Sequence, residues 1–105
     1  MRATTEEGVL RAGAVHVDLA RRRVTVDGRR VELTATQLKL LRVLLEARGQ
    51  VMPRAVLRQR VWGEAGARIG PRAIDVQVSR LRRKLGGEGR RIATVREVGY
   101  RFRFF

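Results

Sequence analysis

Cysteine is absent from this sequence, histidine occurs once, and only Lys39 and Lys84 are lysines. Without cysteine, disulfide bonds, thiolate chemistry and zinc sites built on thiolates are excluded. His16 lies between Val15 and Val17 in an alternating stretch, and no second soft ligand accompanies it. We therefore expect an outward-facing strand residue, and we predict neither a metal site nor a cofactor.

Long hydrophobic runs and recognisable catalytic groups are also missing. No apolar segment approaches the roughly 20 residues that cross a bilayer, and the N-terminal MRATTEEGVL lacks the apolar stretch of a signal peptide. We find no carboxylate pair suited to a cleft, no nucleophile with a base and no glycine loop that cradles phosphate. These features predict a cytoplasmic protein without membrane contact that is not an enzyme.

Acidic residues are few: the sequence has 10 of them and 24 basic residues, which gives a net charge of +14 on a chain of 11.9 kDa. Such an excess repels itself in a compact fold, so a polyanion is the expected partner. With only two lysines, 22 of the basic residues are arginines. The planar fork of arginine suits phosphate oxygens and the edge of guanine.

The first part of the chain predicts a small antiparallel sheet. Residues 1–8 are polar, and we expect a flexible segment there, followed by one domain over residues 9–105. Short alternating runs indicate a meander with one apolar face, and Asp27-Gly28 is a strong hairpin signal between two of them. The runs cover residues 15–19, 24–26 and 31–33.

A helix with clear start signals follows. Thr34 and Gln37 have the spacing of a capping box, and Leu33 and Leu38 lie where a hydrophobic staple would close. Gly49 is the predicted C-cap of this helix. The predicted buried stripe consists of Leu38, Leu41, Leu44 and Leu45.

A second, shorter helix is predicted to begin with Pro53 at its first position and Met52 as N-cap, and to end near Trp62-Gly63. Residues 63–70 contain three glycines, so we expect a mobile loop there. The predicted buried residues of this helix are Leu57 and Val61.

The segment from Pro71 to Leu85 has two contrasting faces when drawn as a helix. One face is apolar and suited to a core; the other is cationic, and a rod about 22 Å long fits a B-DNA major groove about 12 Å wide. Gly86, Gly87 and Gly89 end the helix. The apolar face carries Ile74, Val78, Leu81 and Leu85, and the opposite face carries Arg72, Val76, Ser79, Arg80 and Arg83.

The last segment, residues 92–105, predicts two strands joined by a turn at residues 96–99. Strands, three helices and a terminal hairpin in a very basic chain indicate an α+β winged helix-turn-helix. In this fold the second and third helices form the pair that reads DNA, and the hairpin is the wing. In the second strand Tyr100, Phe102 and Phe104 face inward, while Arg101 and Arg103 face outward.

Four stretches resemble the C-terminal DNA-binding domain of OmpR/PhoB-type response regulators. They read VDGRRVELTATQLKLLRVLLEARGQVM, LRQRVWG, RAIDVQVSRLRRKLG and IATVREVGYRF, and they cover nearly the whole chain. Two positions depart from the family pattern. Gln37 stands where the family usually has glutamate, and glutamine can serve the same capping box. Glu97 replaces a wing-tip glycine, which adds an acid and causes strain if its φ is positive.

The resemblance implies that Arg72, Ala73, Val76 and Arg80 face the major groove. The helical pattern independently turns three of them away from the apolar face and leaves Ala73 near its edge. Arg80 could pair with guanine or hold a phosphate, Val76 could touch a thymine methyl, and Arg72 suits a phosphate. We expect Asp75 to serve the helix dipole.

The remaining candidates lie on and around the wing. The resemblance implies that Arg96 enters the minor groove, although Glu97 beside it weakens that contact. Trp62 either donates its indole N–H to a phosphate or packs the end of its helix. Thr94 and Tyr100 could bind phosphate through their hydroxyls, and Tyr100 could equally belong to the core. Ser79 and Arg83 complete the candidate DNA-binding set.

These observations favour a sequence-specific regulator of transcription that binds double-stranded DNA. The resemblance implies head-to-tail dimers on direct repeats, contact with RNA polymerase through residues 63–71, and control by a phosphorylated receiver domain. No receiver is present in this sequence, so an excised effector domain and a stand-alone regulator are both open. The alternatives are a non-specific polyanion binder, whose affinity would depend on charge alone, and a module that binds an acidic protein.

Overall fold

A computed structural model describes residues 4–6 and 8–104 of the chain. The N-terminal part is a five-stranded antiparallel sheet in which neighbours in sequence are neighbours in space. His16 is exposed, as predicted. The strands are β1 (Thr4–Glu6), β2 (Val9–Ala12), β3 (Val15–Asp18), β4 (Arg23–Val26) and β5 (Arg29–Val31).

The hairpin at Asp27-Gly28 is confirmed, since both residues have positive φ, 52° and 78°. Such values suit a tight turn between twisted strands. Within the N-terminal segment, Thr4–Glu6 forms β1 and pairs with β2; the flexibility expected for residues 1–8 stays a prediction. A strand of three residues depends on hydrogen bonds to the backbone of its neighbour, here β2, and a local sequence pattern does not predict such pairing.

Helix α1 spans Ala35–Glu46 and begins as the sequence indicates. The Thr34 hydroxyl accepts a hydrogen bond from the Gln37 backbone, and the Gln37 side chain accepts one from the Thr34 backbone, both 3.1 Å long. The predicted C-cap at Gly49 is wrong: the cap is Ala47, because Arg48 already adopts the left-handed conformation that ends the helix. The fully buried leucines are Leu40, Leu41, Leu44 and Leu45, and Leu38 is half-buried.

Helix α2 spans Arg54–Trp62, with Leu57 and Val61 buried as predicted. Its predicted start is one residue too early, because Pro53 is extended and belongs with Met52 to a two-residue strand, β6.

The loop predicted for residues 63–70 is corrected over Gly63–Arg68, which forms a 3-10 helix; the expected mobility of this segment stays a prediction. Gly66 lies so close to α2 that a Cβ there would be 2.7 Å from the carbonyl oxygen of Arg58. This close approach ties the segment to α2.

Helix α3 spans Arg72–Leu85, and a second 3-10 helix, Gly86–Arg91, leads into a hairpin of β7 (Ile92–Val95) and β8 (Gly99–Phe102). Strand β8 lies between β6 and β7. This order of elements confirms the α+β winged helix-turn-helix. As predicted, the core takes Ile74, Val78, Leu81 and Leu85 from α3. It also takes Tyr100 and Phe102 from β8 and Phe104 from the residues that follow this strand.

Candidate nucleic-acid interface

One face of α3 forms a continuous surface, which we call the α3 stripe and which is exposed except at the half-buried Asp75. Its members follow one another at alternating steps of three and one, because 3.6 residues per turn bring those positions onto one side of a helix. They line a single shallow concavity. The α3 stripe consists of Arg72, Asp75, Val76, Ser79, Arg80 and Arg83.

The cationic members of the α3 stripe are available to an external partner. Arg72, Arg80 and Arg83 are exposed, and their guanidinium groups form no hydrogen bond or ion pair in the described part of the chain. Val76 lies among them with 43% of its surface exposed. Ala73 is half-buried at the edge of this surface, where the helical pattern puts it. The result is a cationic face with an apolar contact point at its centre.

Asp75 lies in the first turn of α3, as expected, and also has two partners that the sequence did not indicate. Its Oδ1 accepts a hydrogen bond from Arg54 Nε at 2.8 Å and another from the Tyr100 hydroxyl at 2.5 Å. Burial raises the pKa of Asp75, but these two hydrogen bonds and the charges of Arg54 and Arg72 outweigh it, so the pKa lies below its usual value of 3.8. Asp75 is thus an internal acceptor as well as a residue near a helix N-terminus.

Tyr100 belongs to the core, which is one of the two alternatives for it. It is only 4% exposed, and its hydroxyl donates to Asp75, so the structure does not favour a phosphate contact. The guanidinium carbons of Arg54 and Arg82 lie 5.4 and 5.5 Å from its ring centroid. Burial, followed by the hydrogen bond to Asp75 and the charge of that carboxylate, raises the pKa of Tyr100 above 10.0.

Arg82 joins α3 to the wing, and sequence reasoning missed it. Its Nε and Nη2 donate to the carbonyl oxygen of Ile92 at 2.9 and 2.7 Å, and Nη2 also donates to Thr94 Oγ1 at 2.8 Å. Thr94 is exposed, and its hydroxyl proton stays available to an external acceptor. No local sequence signal marks these contacts, because the partners lie 10 and 12 residues apart.

A second concavity lies where the end of α3 meets β7. It brings together Arg83 and Thr94, both predicted contacts, with the exposed Arg90 and Arg103. Sequence reasoning did not single out Arg90, and it treated Arg103 only as an outward strand residue. The cationic surface therefore continues beyond the α3 stripe.

The wing tip is formed by Arg96, Glu97 and Val98, all exposed. Glu97 has a φ of 66°, so the acid stands at a position of the kind that glycine adopts without strain. Both backbone groups of Val98 form hydrogen bonds: its N–H donates to the Val95 carbonyl, and its own carbonyl accepts from the backbone N–H of Arg54. Trp62, the remaining candidate, is half-buried against the core.

Residues 28–102 match the family described as "Transcriptional regulatory protein, C terminal". The chain belongs to this family. Among curated members, the response regulator protein PmrA of Pseudomonas aeruginosa is 43% identical over 88 residues, which cover 84% of this chain and 38% of PmrA. The chain spans about two fifths of the length of the curated relatives that it matches.

Solved structures agree with this membership. The DNA-binding domain of RstA from Klebsiella pneumoniae, crystallised with the RstA box, is 33% identical with a TM-score of 0.81, covering 92% of this chain and 98% of that domain. DrrB, an OmpR/PhoB homologue from Thermotoga maritima, is 27% identical with a TM-score of 0.81, covering 91% of this chain and 44% of DrrB.

The resemblance to OmpR/PhoB-type response regulators is therefore confirmed, and so is the prediction that the chain is not an enzyme, because the family is one of regulatory domains. No helix in the described part of this family member combines the length and apolarity needed to cross a membrane.

Proposed function

We propose that the chain is a sequence-specific, double-stranded-DNA-binding domain, the effector domain of a two-component response regulator in the bacterial cytoplasm. The observation that carries the proposal is the α3 stripe, where exposed guanidinium groups without partners in the described part of the chain surround Val76. Membership of the regulatory family supports it. So does the crystal structure of the similar RstA domain with the RstA box.

The α3 stripe is the surface that we assign to the major groove. Arg80 pairs with the N7 and O6 of a guanine, and Val76 meets a thymine methyl. Arg72 lies in the first turn, where the helix N–H groups also attract phosphate, so it holds the backbone. Ala73 and Ser79 are small enough to let the helix approach the base edges.

A second group of residues holds the DNA backbone and the neighbouring minor groove. Arg83 and Thr94 share the concavity beside β7 with Arg90 and Arg103, which suits a phosphate track. The wing, residues 92–104, lies at the minor groove with Arg96 at its tip. Trp62 is a phosphate donor through its indole N–H.

The proposal extends to protein partners. Two copies bind head to tail on a direct repeat, and residues 63–71 contact RNA polymerase. Glu64 and Arg68 of the first 3-10 helix are exposed, so they are suited to a charged contact. Changing both to alanine is expected to lower activated transcription in vitro without altering DNA affinity; equal transcription would contradict the polymerase contact.

Selection from a random pool of double-stranded DNA at near-physiological salt tests the DNA-binding proposal. We expect enrichment of a short direct repeat spaced by about one helical turn. Affinity for the selected site should then be compared between Arg80→Ala and Arg42→Ala. The second change removes the same charge from an exposed ion pair on α1 and serves as the matched control.

Salt dependence distinguishes the alternatives. With about eight phosphate contacts, affinity for any DNA should fall roughly 10³–10⁵-fold between 50 and 200 mM salt. A specific regulator keeps a preference for its selected site at the higher concentration. A lack of enrichment, together with binding that disappears as salt rises, would instead identify a non-specific polyanion binder.

A further inference from the structure

Asp75 occupies an unexpected position for an acidic side chain. It lies on the α3 stripe, between the exposed residues Arg72 and Val76, on the face proposed to meet a polyanion. A carboxylate there repels phosphate, so we expect it to have a hydrogen-bond donor either in the DNA or in the protein. Its Oδ1 is used by the protein, because it accepts from both Arg54 and Tyr100.

Three structural elements meet at this oxygen. Arg54 is the first residue of α2, Asp75 lies in the first turn of α3, and Tyr100 lies in β8, the central strand of the wing sheet. The same Arg54 also reaches the wing tip, since its backbone N–H donates to the Val98 carbonyl at 3.3 Å. One carboxylate thus links the two helices of the helix-turn-helix to the wing.

Among the described residues, no other side chain in the first turn of α3 forms a hydrogen bond; the nearest side-chain contact is the bond from Arg58 to the Ile69 carbonyl, three residues before the helix, at 3.2 Å. The N-cap of α3 is Pro71, which forms no side-chain hydrogen bond to the first turn. The end of α3, by contrast, is attached to β7 through Arg82. A partly exposed ion pair contributes little stability by itself, but two donors converging on one oxygen, one from a buried ring, fix the direction of a side chain.

We infer that Asp75 is a positioning residue for DNA recognition: through Arg54 and Tyr100 it holds the start of α3 in register with the wing. The bases that Val76 and Arg80 reach depend on how α3 lies in the groove, and this depends on the contacts at its first turn. This inference rests on the proposed function. Asp75 itself does not contact DNA in this scheme.

The readout is the ratio of affinities for the selected site and for random DNA, measured at fixed salt. We expect Asp75→Ala to lower this ratio by about tenfold, the effect of losing one good base contact. Affinity for random DNA should stay constant or rise, because a negative charge leaves the surface. A purely structural defect would lower both affinities together in proportion to the folded fraction, leaving the ratio unchanged.

Two further variants keep the experiment decisive. Tyr100→Phe retains the charge of Asp75 but removes one donor, so it should lower the ratio without raising affinity for random DNA. Asp18→Ala is the matched control, since Asp18 also pairs with an arginine, Arg21, at 3.0 Å, but lies in the N-terminal sheet. Its ratio should equal that of the unchanged protein. Thermal unfolding confirms that each variant is folded under the assay conditions.

The outcomes are distinguishable. If the unchanged protein selects no site, the proposed function fails, and the inference fails with it. If that protein discriminates and folded Asp75→Ala and Tyr100→Phe discriminate equally well, Asp75 is not a positioning residue, while the proposed function stands. Should Asp75→Ala not fold, Asp75→Asn and Tyr100→Phe decide the matter by the same ratio.

Discussion

The arginines of the α3 stripe and those at the junction of the helices with the wing have opposite uses. The guanidinium groups of Arg72, Arg80 and Arg83 have no hydrogen-bonded or ionic partner in the described part of the chain. Arg54 and Arg82 are instead bonded to Asp75, Ile92 and Thr94 and flank the Tyr100 ring. A basic composition alone therefore does not identify the residues that contact a polyanion. Some arginines bind other parts of the protein and hold α2, α3 and the wing together, and only the others are available to a partner.

Helix periodicity explains how close neighbours divide these tasks. Arg80 and Arg82 are two residues apart, which places their side chains on opposite sides of α3. Arg80 therefore faces solvent while Arg82 faces β7. Substitutions at four positions, from the largest expected effect to the smallest, would break or sharpen this comparison.

Arg82→Ala should cause the largest loss of stability. It removes charge-assisted hydrogen bonds to Ile92 and Thr94 and one cation from the Tyr100 ring, so we expect the free energy of unfolding to fall by about 2–3 kcal/mol. Chemical denaturation measures this change. If the free energy of unfolding falls no more than it does for an exposed arginine such as Arg80, the distinction between the arginines of the α3 stripe and those at the junction with the wing is wrong.

Arg80→Ala should show the reverse pattern. Stability should change by less than about 0.5 kcal/mol, since the side chain is exposed. Affinity for the selected site should fall by about 1–3 kcal/mol and one base position should become less selective. Titrations against single-base variants of the site test this. Equal losses on selected and random DNA would show that Arg80 holds phosphate only.

Tyr100→Phe should cost about 1 kcal/mol of stability, in a pH-dependent way. The lowered pKa of Asp75 means that its contribution is present above pH 3.8 and is lost as the pH falls through the folded pKa. The raised pKa of Tyr100 means that its contribution is present below pH 10.0 and is lost as the pH rises through the folded pKa.

The stability difference between the unchanged protein and Tyr100→Phe should therefore be greatest between these two pH values and shrink on both sides. Denaturation curves across this range measure it, and subtraction cancels the titration of groups that both proteins share. A difference that does not vary with pH would mean that the charges of Asp75 and Tyr100 do not influence the bond.

Glu97→Gly should have the smallest effect. Removing a side chain at a φ of 66° should raise the free energy of unfolding by about 0.5–1 kcal/mol. Glu97→Gln separates strain from charge, because it keeps a side chain at positive φ and removes only the negative charge. Both variants should bind DNA a few-fold more tightly, but only glycine should stabilise the fold. Equal stabilisation by glutamine would assign the effect to charge.

The elements that could be predicted are those specified by neighbours in sequence. Thr34 and Gln37 form both bonds of the capping box, and Asp27-Gly28 forms its turn, because these partners lie within three residues of each other. The short strand β6 could not be predicted, since Met52 and Pro53 are too few to show a period and depend on β8 for their pairing.

The candidate site divides in the same way. The exposed face of α3 follows from its 3.6-residue period, so the sequence identified Arg72, Val76 and Arg80 as one surface. The partners of Asp75 lie 21 and 25 residues away, and no local pattern connects them. For the same reason the local sequence does not decide whether Tyr100 is buried; the packing of α2, α3 and β8 does.

By itself, the sequence determined the three helices, the Asp27-Gly28 hairpin, the buried face of α3, the excess of positive charge and the family, because periodicity, capping and motifs are local properties of the chain. Only the tertiary structure decided which arginine side chains have no partner in the described part of the chain and which bind α3 to α2 and the wing. That choice depends on distances between residues far apart in sequence, and such distances exist only after the helices and the wing have packed together.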